Sequence, residues 1–236
     1  MTSEPARTGQ HRHNHDDPEQ WRSAAFVDEW VGKDDGTPQD RVQVMRDALA
    51  ATGHGADDAL AAMDIGAGYG LFASEVLRAF PNATVTLQDV SEPMFEIARE
   101  RFADHVSHMR FVLCDLGKTA WTSEVGGPFD LAVSSIAIHN LYDESLIARL
   151  YKDVYGLLKP GGTFINIDHI HRVGGVEGQT RWLHEAGFAQ VECIEIARNL
   201  ARLSARKAGQ PASAPRGPCL RGPFFMHDMG GAESLP

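Results

Sequence analysis

Long apolar runs, basic blocks and paired cysteines are all missing from this 236-residue chain. No stretch approaches the roughly 20 apolar residues of a membrane-spanning helix, and the first twenty residues carry no apolar run of the kind a secretory signal has. Cysteine occurs three times, at the widely spaced Cys114, Cys193 and Cys219. That excludes a disulfide framework and a CxxC metal motif, and suits a reduced, cytoplasmic protein. Against 22 Lys and Arg stand 32 Asp and Glu, a formal net charge of −10, with the basic residues scattered. A bare nucleic acid is therefore not expected as a partner, because that binding draws on a concentrated basic surface.

What is present reads as one α/β domain. With 43% hydrophobic and 23% charged residues, the composition is that of an ordinary globular protein. Residues 1–18 (MTSEPARTGQHRHNHDDP) are polar and patternless and read as a disordered tail. Residues 209–236 hold five Pro and five Gly and read as a second tail, which leaves the domain at 19–208. Runs rich in Val, Ile and Leu at Ala61–Ile65, Thr84–Gln88, Arg110–Cys114, Phe129–Ser134 and Thr163–Ile167 predict buried strands. Segments with helical spacing follow them. One has Ser91 as N-cap and Pro93 in its first turn; another, LIARLYKDVYGLL, is stopped by Lys159-Pro160-Gly161-Gly162. Apolar strands alternating with helices predict a parallel sheet covered on both faces. Val191–Ala197 and Leu200–Arg206, parted by Arg198 and Asn199, predict a terminal antiparallel hairpin.

MDIGAGYG, residues 63–70, ends the first strand and opens a helix. Gly66, Gly68 and Gly70, with Ala67 between them, let the backbone turn sharply and approach a ligand. Dinucleotide enzymes use such a loop too, so a NAD-dependent oxidoreductase is a competing reading. Two residues oppose it. The third glycine of that fingerprint would fall at Leu71, and Asp64 places an acid where a pyrophosphate would be repelled. An adenosyl ligand bearing an ammonium and a sulfonium would be attracted instead. Asp89 ends the second strand, 19 residues after Gly70, where it can accept from both ribose hydroxyls. Asp115 ends the third strand and can accept from the adenine amine, while Met94 can pack on the adenine face. Each residue alone suits a loop cap or the core; their joint placement at successive strand ends points to a cofactor.

MDIGAGYG, LQDVSEPM, VLCDL, GPFDLAVSSIAIHNL, LLKPGGTFINIDH and WLHEAGF, in this order, resemble the class I S-adenosylmethionine-dependent methyltransferases from about Trp21 to Lys207. The resemblance implies a Rossmann-like, doubly wound sheet of seven strands, mostly parallel with the last antiparallel. It implies S-adenosyl-L-methionine as cofactor, with Asp64 and Gly66–Gly70 at the methionine end, Asp89 and Val90 at the ribose, and Asp115 and Leu116 at the adenine. Ser134 and Ser135 would line the methyl-transfer side. The nearest flavour is the small-molecule group that includes trans-aconitate methyltransferase. The acceptor expected is therefore a small molecule methylated at oxygen or nitrogen, a carboxylate included. A non-catalytic adenosyl-binding regulator is the second reading, and the oligomeric state is open.

Methyl transfer is an in-line displacement, so the protein mainly aligns the two partners, and a base helps only where the acceptor loses a proton. His139 after the fourth strand, and Asp168 with His169 at the end of the fifth, fall at neighbouring strand ends, where such sheets bind ligands. They are the candidate catalytic residues, with His139 weighed equally against a loop-shaping histidine. Asn140 reads as a turn residue. A metal on Asp168, His169 and His171 is disfavoured, because strand alternation puts the histidines on one face and Asp168 on the other. Trp21, Phe26 and Trp30 read as a helix packed on the domain, with a lid as the alternative. Arg41 could reach a carboxylate. The connection from the fifth strand to the helix carrying Trp182 is short, which leaves the acceptor pocket without its usual cover.

Overall fold

A computed structural model describes residues 18–34, 38–197 and 200–209. Apart from Pro18 and Gly209, the two segments read as tails lie outside the described residues, as do Cys219 and the Arg198–Asn199 joint.

Seven strands form one sheet: β1 (Ala61–Ile65), β2 (Thr84–Asp89), β3 (Met109–Leu113), β4 (Phe129–Ser135), β5 (Leu158–Asp168), β6 (Ala189–Ala197) and β7 (Leu200–Arg206). Their order is β3-β2-β1-β4-β5-β7-β6. β1 to β5 run parallel to one another, and β7 enters antiparallel between β5 and β6. The sheet is the Rossmann-like, mostly parallel arrangement expected, with an antiparallel last strand. β5 starts earlier than the sequence pattern predicts. Leu158 already pairs with Phe129, and a register shift before Leu131 lets the strand pass through Pro160-Gly161-Gly162. That Pro-Gly-Gly does end the preceding helix, but it forms irregular strand rather than a free turn.

The helices are α1 (Ala24–Asp34), α2 (Pro38–Ala50), α3 (Leu71–Ala79), α4 (Glu92–Arg101), α5 (Trp121–Val125), α6 (Glu144–Leu157) and α7 (Gly175–Ala186). Ser91 caps α4 by accepting from the Met94 N–H, with Pro93 in the first turn as expected. Asp143 caps α6 by accepting from the N–H groups of Ser145 and Leu146. Strand alternation sends Met63, Ile65 and Phe164 to one face, where they meet Trp121, Leu150, Val154 and Leu183 of α5, α6 and α7. It sends Ala62, Leu87, Val133 and Ile165 to the other face, against Met45 and Leu49 of α2, Phe72 and Val76 of α3 and Phe95 of α4. Each large apolar side chain buried this way contributes about 1.5–3 kcal/mol. With both faces covered, ligands are left the carboxyl ends of the strands.

Two corrections concern the end of β5. The strand stops at Asp168, and residues 170–172 form a short 3-10 turn, so alternation no longer governs His169 and His171. α7 then begins at Gly175, so glycines of the segment after the fifth strand belong to the helix rather than to the connection. Gly174, at φ 77°, and Gly178 lie against the Trp182 ring: a Cβ on Gly174 would sit 2.3 Å from it. These glycines make room for an aromatic side chain.

Candidate active site

At the carboxyl edge of β1, β2, β3 and β4 lies a cleft of about 1090 Å³ that opens to solvent. Its floor carries Asp64, Gly66–Gly68, Gln88, Asp89 and Val90. Met94, Asp115 and Leu116 form one end, and Ser135 to Ala137 with Asn140 and Leu141 form the other. Tyr69, Leu71 and Phe72 line it as well, and Trp21, Trp30, Arg41 and Met45 bring in the segment before β1 as a roof. Trp21 and Trp30 meet edge to face at 5.5 Å, and both pack on a small cluster with Val27, Val31, Tyr69 and Met94. The segment packs on the domain as expected, and two of its aromatics also line the cleft.

The glycine loop is held by hydrogen bonds from β2. Gln88 accepts the Gly66 N–H with its side chain (3.0 Å) and the Ala67 N–H with its carbonyl (2.9 Å), and donates through Nε2 to the Cys114 carbonyl at 2.7 Å. Asp89 accepts from the Gly68 N–H at 2.7 Å and from the N–H groups of Val90 and Ser91. Gly66, at φ 60°, lies where a Cβ would come within 2.4 Å of the Ala137 Cβ, so β1 and β4 end almost in contact. Gly70, at φ 82°, faces Leu87, Ala98 and Phe102 and is absent from the cleft wall. It supplies the close helix–sheet packing that a dinucleotide fingerprint places one residue later. Gln88 was missed from the sequence, although a polar residue in the buried register of VTLQD was the available signal.

Asp64 is 1% exposed and accepts the Ala73 N–H of α3 at 2.9 Å. It fills the helix N-terminus where a dinucleotide would seat its pyrophosphate. Burial pushes its carboxyl up to about 8, with Asp89 adding to the rise and the Ala73 N–H opposing it. Burial also raises Asp89, against the pull of its three backbone donors. Asp115 closes a turn by accepting from the Gly117 N–H, and Arg149 pins that turn through the Leu116 and Gly117 carbonyls. Ser134 and Ser135 were both expected on the methyl-transfer side, and of the two Ser134 does not reach the cleft. It is fully buried and donates to the Ile65 carbonyl, while Ser135 lines the cleft and keeps a buried Oγ without a partner. Alternation explains the difference, since adjacent strand residues face opposite ways.

His139, Asp168 and His169 do come together. Asp168 accepts from the His139 backbone N–H at 2.9 Å and from the His169 N–H at 2.8 Å, and its Oδ1 lies 2.5 Å from His139 Nδ1. The rings of His139 and His169 meet edge to face at 5.2 Å. The trio is nevertheless absent from the cleft wall, which is made on either side of His139 by Ala137, Asn140 and Leu141. Asn140, read as a turn residue, faces the cleft instead. The turn holding these residues is bracketed by Ile136 at φ 53° and Tyr142 at φ 50°. A β-branched residue in that region is strained by roughly 1–3 kcal/mol. His171 lies apart, paired with Glu195 at 2.6 Å on the exposed edge.

Comparison with known proteins agrees with this geometry. Residues 62–162, from β1 into β5, match the family described as methyltransferase domain. The chain is 34% identical over 135 residues to fumosorinone synthetase of Cordyceps fumosorosea, covering 52% of this chain and 3% of that one. It is 29% identical over 118 residues to malonyl-[acyl-carrier protein] O-methyltransferase 1 of Ilyobacter polytropus, covering 50% and 41%. The solved structure of PigF with SAH superposes with a TM-score of 0.63 at 14% identity, over 80% of this chain and 61% of that one. The chain thus spans less than half the length of these curated relatives. Fold, glycine loop and family match define a class I S-adenosylmethionine-dependent methyltransferase. Residues 62–162 carry the matched methyltransferase domain, and the methyl donor of that superfamily is S-adenosylmethionine. The matched span holds the floor of the cleft and leaves out the roof.

Proposed function

We propose that this chain transfers a methyl group from S-adenosylmethionine to a small-molecule acceptor whose nucleophilic atom gives up a proton, with His139 and Asp168 acting as the proton-accepting pair. The pairing of His139 Nδ1 with the Asp168 carboxylate carries the reading. An ionised carboxylate only accepts, so Nδ1 holds the ring proton and Nε2 keeps its lone pair. His169 packs on the ring and limits its rotation. His139 lies one layer behind Ala137 and Asn140, so the proton reaches it through one water or a small opening of the strained turn. Ser135 and Asn140 offer the acceptor hydrogen bonds. Asp64 and Gly66–Gly68 hold the methionine end of the cofactor, Asp89 and Val90 the ribose, Asp115, Leu116 and Met94 the adenine. The O-methyltransferase name of the Ilyobacter relative supports an oxygen nucleophile as acceptor, and a hydroxyl is the kind that loses a proton.

The test has two parts. S-adenosylhomocysteine, and not NAD, should raise the melting temperature of the wild-type chain; a response to NAD alone would return the dehydrogenase reading. Labelled cofactor with a metabolite extract should then yield a methylated product. On that acceptor, His139→Asn and Asp168→Asn should lower kcat by about 10²–10⁴ with S-adenosylhomocysteine affinity retained. Full turnover by His139→Asn would leave His139 a loop-shaping residue, and binding without transfer to any acceptor would favour the regulator.

A further inference from the structure

We propose that Arg41 is the carboxylate anchor of the cleft, held by Asp34 as a built-in anion that an incoming ligand carboxylate displaces. The inference rests on the cleft being the methyl-donor site. Among the described residues that line the cleft, Arg41 is the one cation, against Asp64, Asp89 and Asp115. A ligand with an amino-acid end meets acids suited to its ammonium and a single group suited to its carboxylate.

The guanidinium is already set for that geometry. Arg41 donates to Asp34 in bidentate fashion, through Nη1 to Oδ1 at 3.0 Å and Nη2 to Oδ2 at 2.6 Å. The two side chains are only 12% and 9% exposed. Arg41 Nε is buried without a partner, so Asp34 does not satisfy the donor set that a guanidinium offers a carboxylate. Asp34 is also the acceptor of the Tyr69 hydroxyl, 2.8 Å from the Oδ2 that takes Nη2. Tyr69 follows Gly68 of the glycine loop and lines the same cleft. A carboxylate arriving at Arg41 thus frees Asp34, which keeps its Tyr69 bond. Exchange of one anion for another keeps the buried cation paired throughout, which is what makes it accessible. The exchange ties the end of α1 to occupation of the cleft, since Asp34 closes that helix and Arg41 sits in the first turns of α2. The incoming carboxylate belongs to the cofactor's amino-acid end or to the acceptor, and the experiment separates them.

Wild type, Asp34→Asn, and the double variant Arg41→Gln/Asp34→Asn are titrated with S-adenosylhomocysteine and with 5′-methylthioadenosine, which shares the adenosyl thioether and lacks the amino-acid end. Removing both partners leaves no unpaired buried charge, so the double variant should fold. If the cofactor's carboxylate is the ligand, the double variant binds S-adenosylhomocysteine about tenfold more weakly than wild type. Asp34→Asn, with no competing anion, then binds it at least about threefold more tightly. 5′-Methylthioadenosine binds all three alike. If the acceptor's carboxylate is the ligand, S-adenosylhomocysteine binds all three alike. With that cofactor product saturating, acetate, succinate or benzoate then raises the melting temperature of wild type and more so of Asp34→Asn, but not of the double variant. The proposal is overturned if carboxylate-bearing ligands treat the three proteins alike in both arms, or if both adenosyl ligands shift together. Wild type that binds neither adenosyl ligand would sink the methyl-donor reading itself, and this inference with it.

Discussion

Asp64 joins three demands in one side chain. It ends β1, satisfies the Ala73 N–H that no N-cap side chain serves, and faces the cleft. Its carboxyl, pushed up to about 8, costs the fold nothing below the ordinary carboxylate range, progressively more from there up to about 8, and a constant amount above. The sign follows from proton binding. The folded chain holds a proton that the unfolded chain releases near the ordinary value, so this group lowers stability as pH rises toward 8. Without cofactor, Asp64→Asn should therefore melt close to wild type at about pH 4 and clearly higher at about pH 8; an equal difference at both pH values would contradict the assignment. Gly66 shows the opposite kind of necessity, set by space and backbone. Gly66→Ala places a Cβ 2.4 Å from that of Ala137 at φ 60° and should cost roughly 2–4 kcal/mol in urea unfolding. Ala137→Gly should return only part of that loss, because it removes the clash and leaves the left-handed backbone.

The two N-terminal helices differ in what anchors them. α2 puts Met45, Ala48 and Leu49 into the main core on one sheet face. α1 buries only Val27 and Val31, in a small cluster with Tyr69 and Met94. Opening α1 costs a few contacts, while opening α2 exposes the sheet. Hydrogen exchange should find the amides of residues 24–34 less protected than those of 38–50. Saturating S-adenosylhomocysteine should slow the first group and leave the second nearly unchanged. Equal protection of both helices without ligand would mean that the roof is as fixed as the core. At the other end of the chain, β6 is largely exposed, with Ile194 at 42%, and borders the sheet as an edge strand paired only with β7.

Across the whole molecule, the topology places the chemistry. The sheet order turns back at β1, so the ends of β1, β2 and β3 form the floor of the cleft and those of β4 and β5 bring His139 and Asp168 together across 29 residues of chain. The short connection after β5 leaves the acceptor side to a roof from the N-terminal segment, with Trp21, Trp30, Arg41 and Met45 over the cleft.

How much of this was legible follows the range of the forces involved. Strand identity, the parallel sheet, the terminal hairpin and the cofactor acids depend on local apolar period and on glycine, which the linear pattern carries directly. Asp64, Asp89 and Asp115 could be picked out because each sits at the end of a readable strand. What needed the tertiary structure was direction and partnership. Whether Ser134 or Ser135 faces the cleft hangs on the exact register of β4. That Asn140 lines the wall while His139 stands behind it follows from a turn bent through two left-handed residues. The Asp34–Arg41–Tyr69 contact joins three segments whose approach no local pattern encodes. The sequence by itself determined the sheet and the class of cofactor, since burial periodicity and loop chemistry are local. The roof, the direction of each polar side chain and the pairing of buried charges were decided only when the chain closed on itself, because those depend on which surfaces exclude water together.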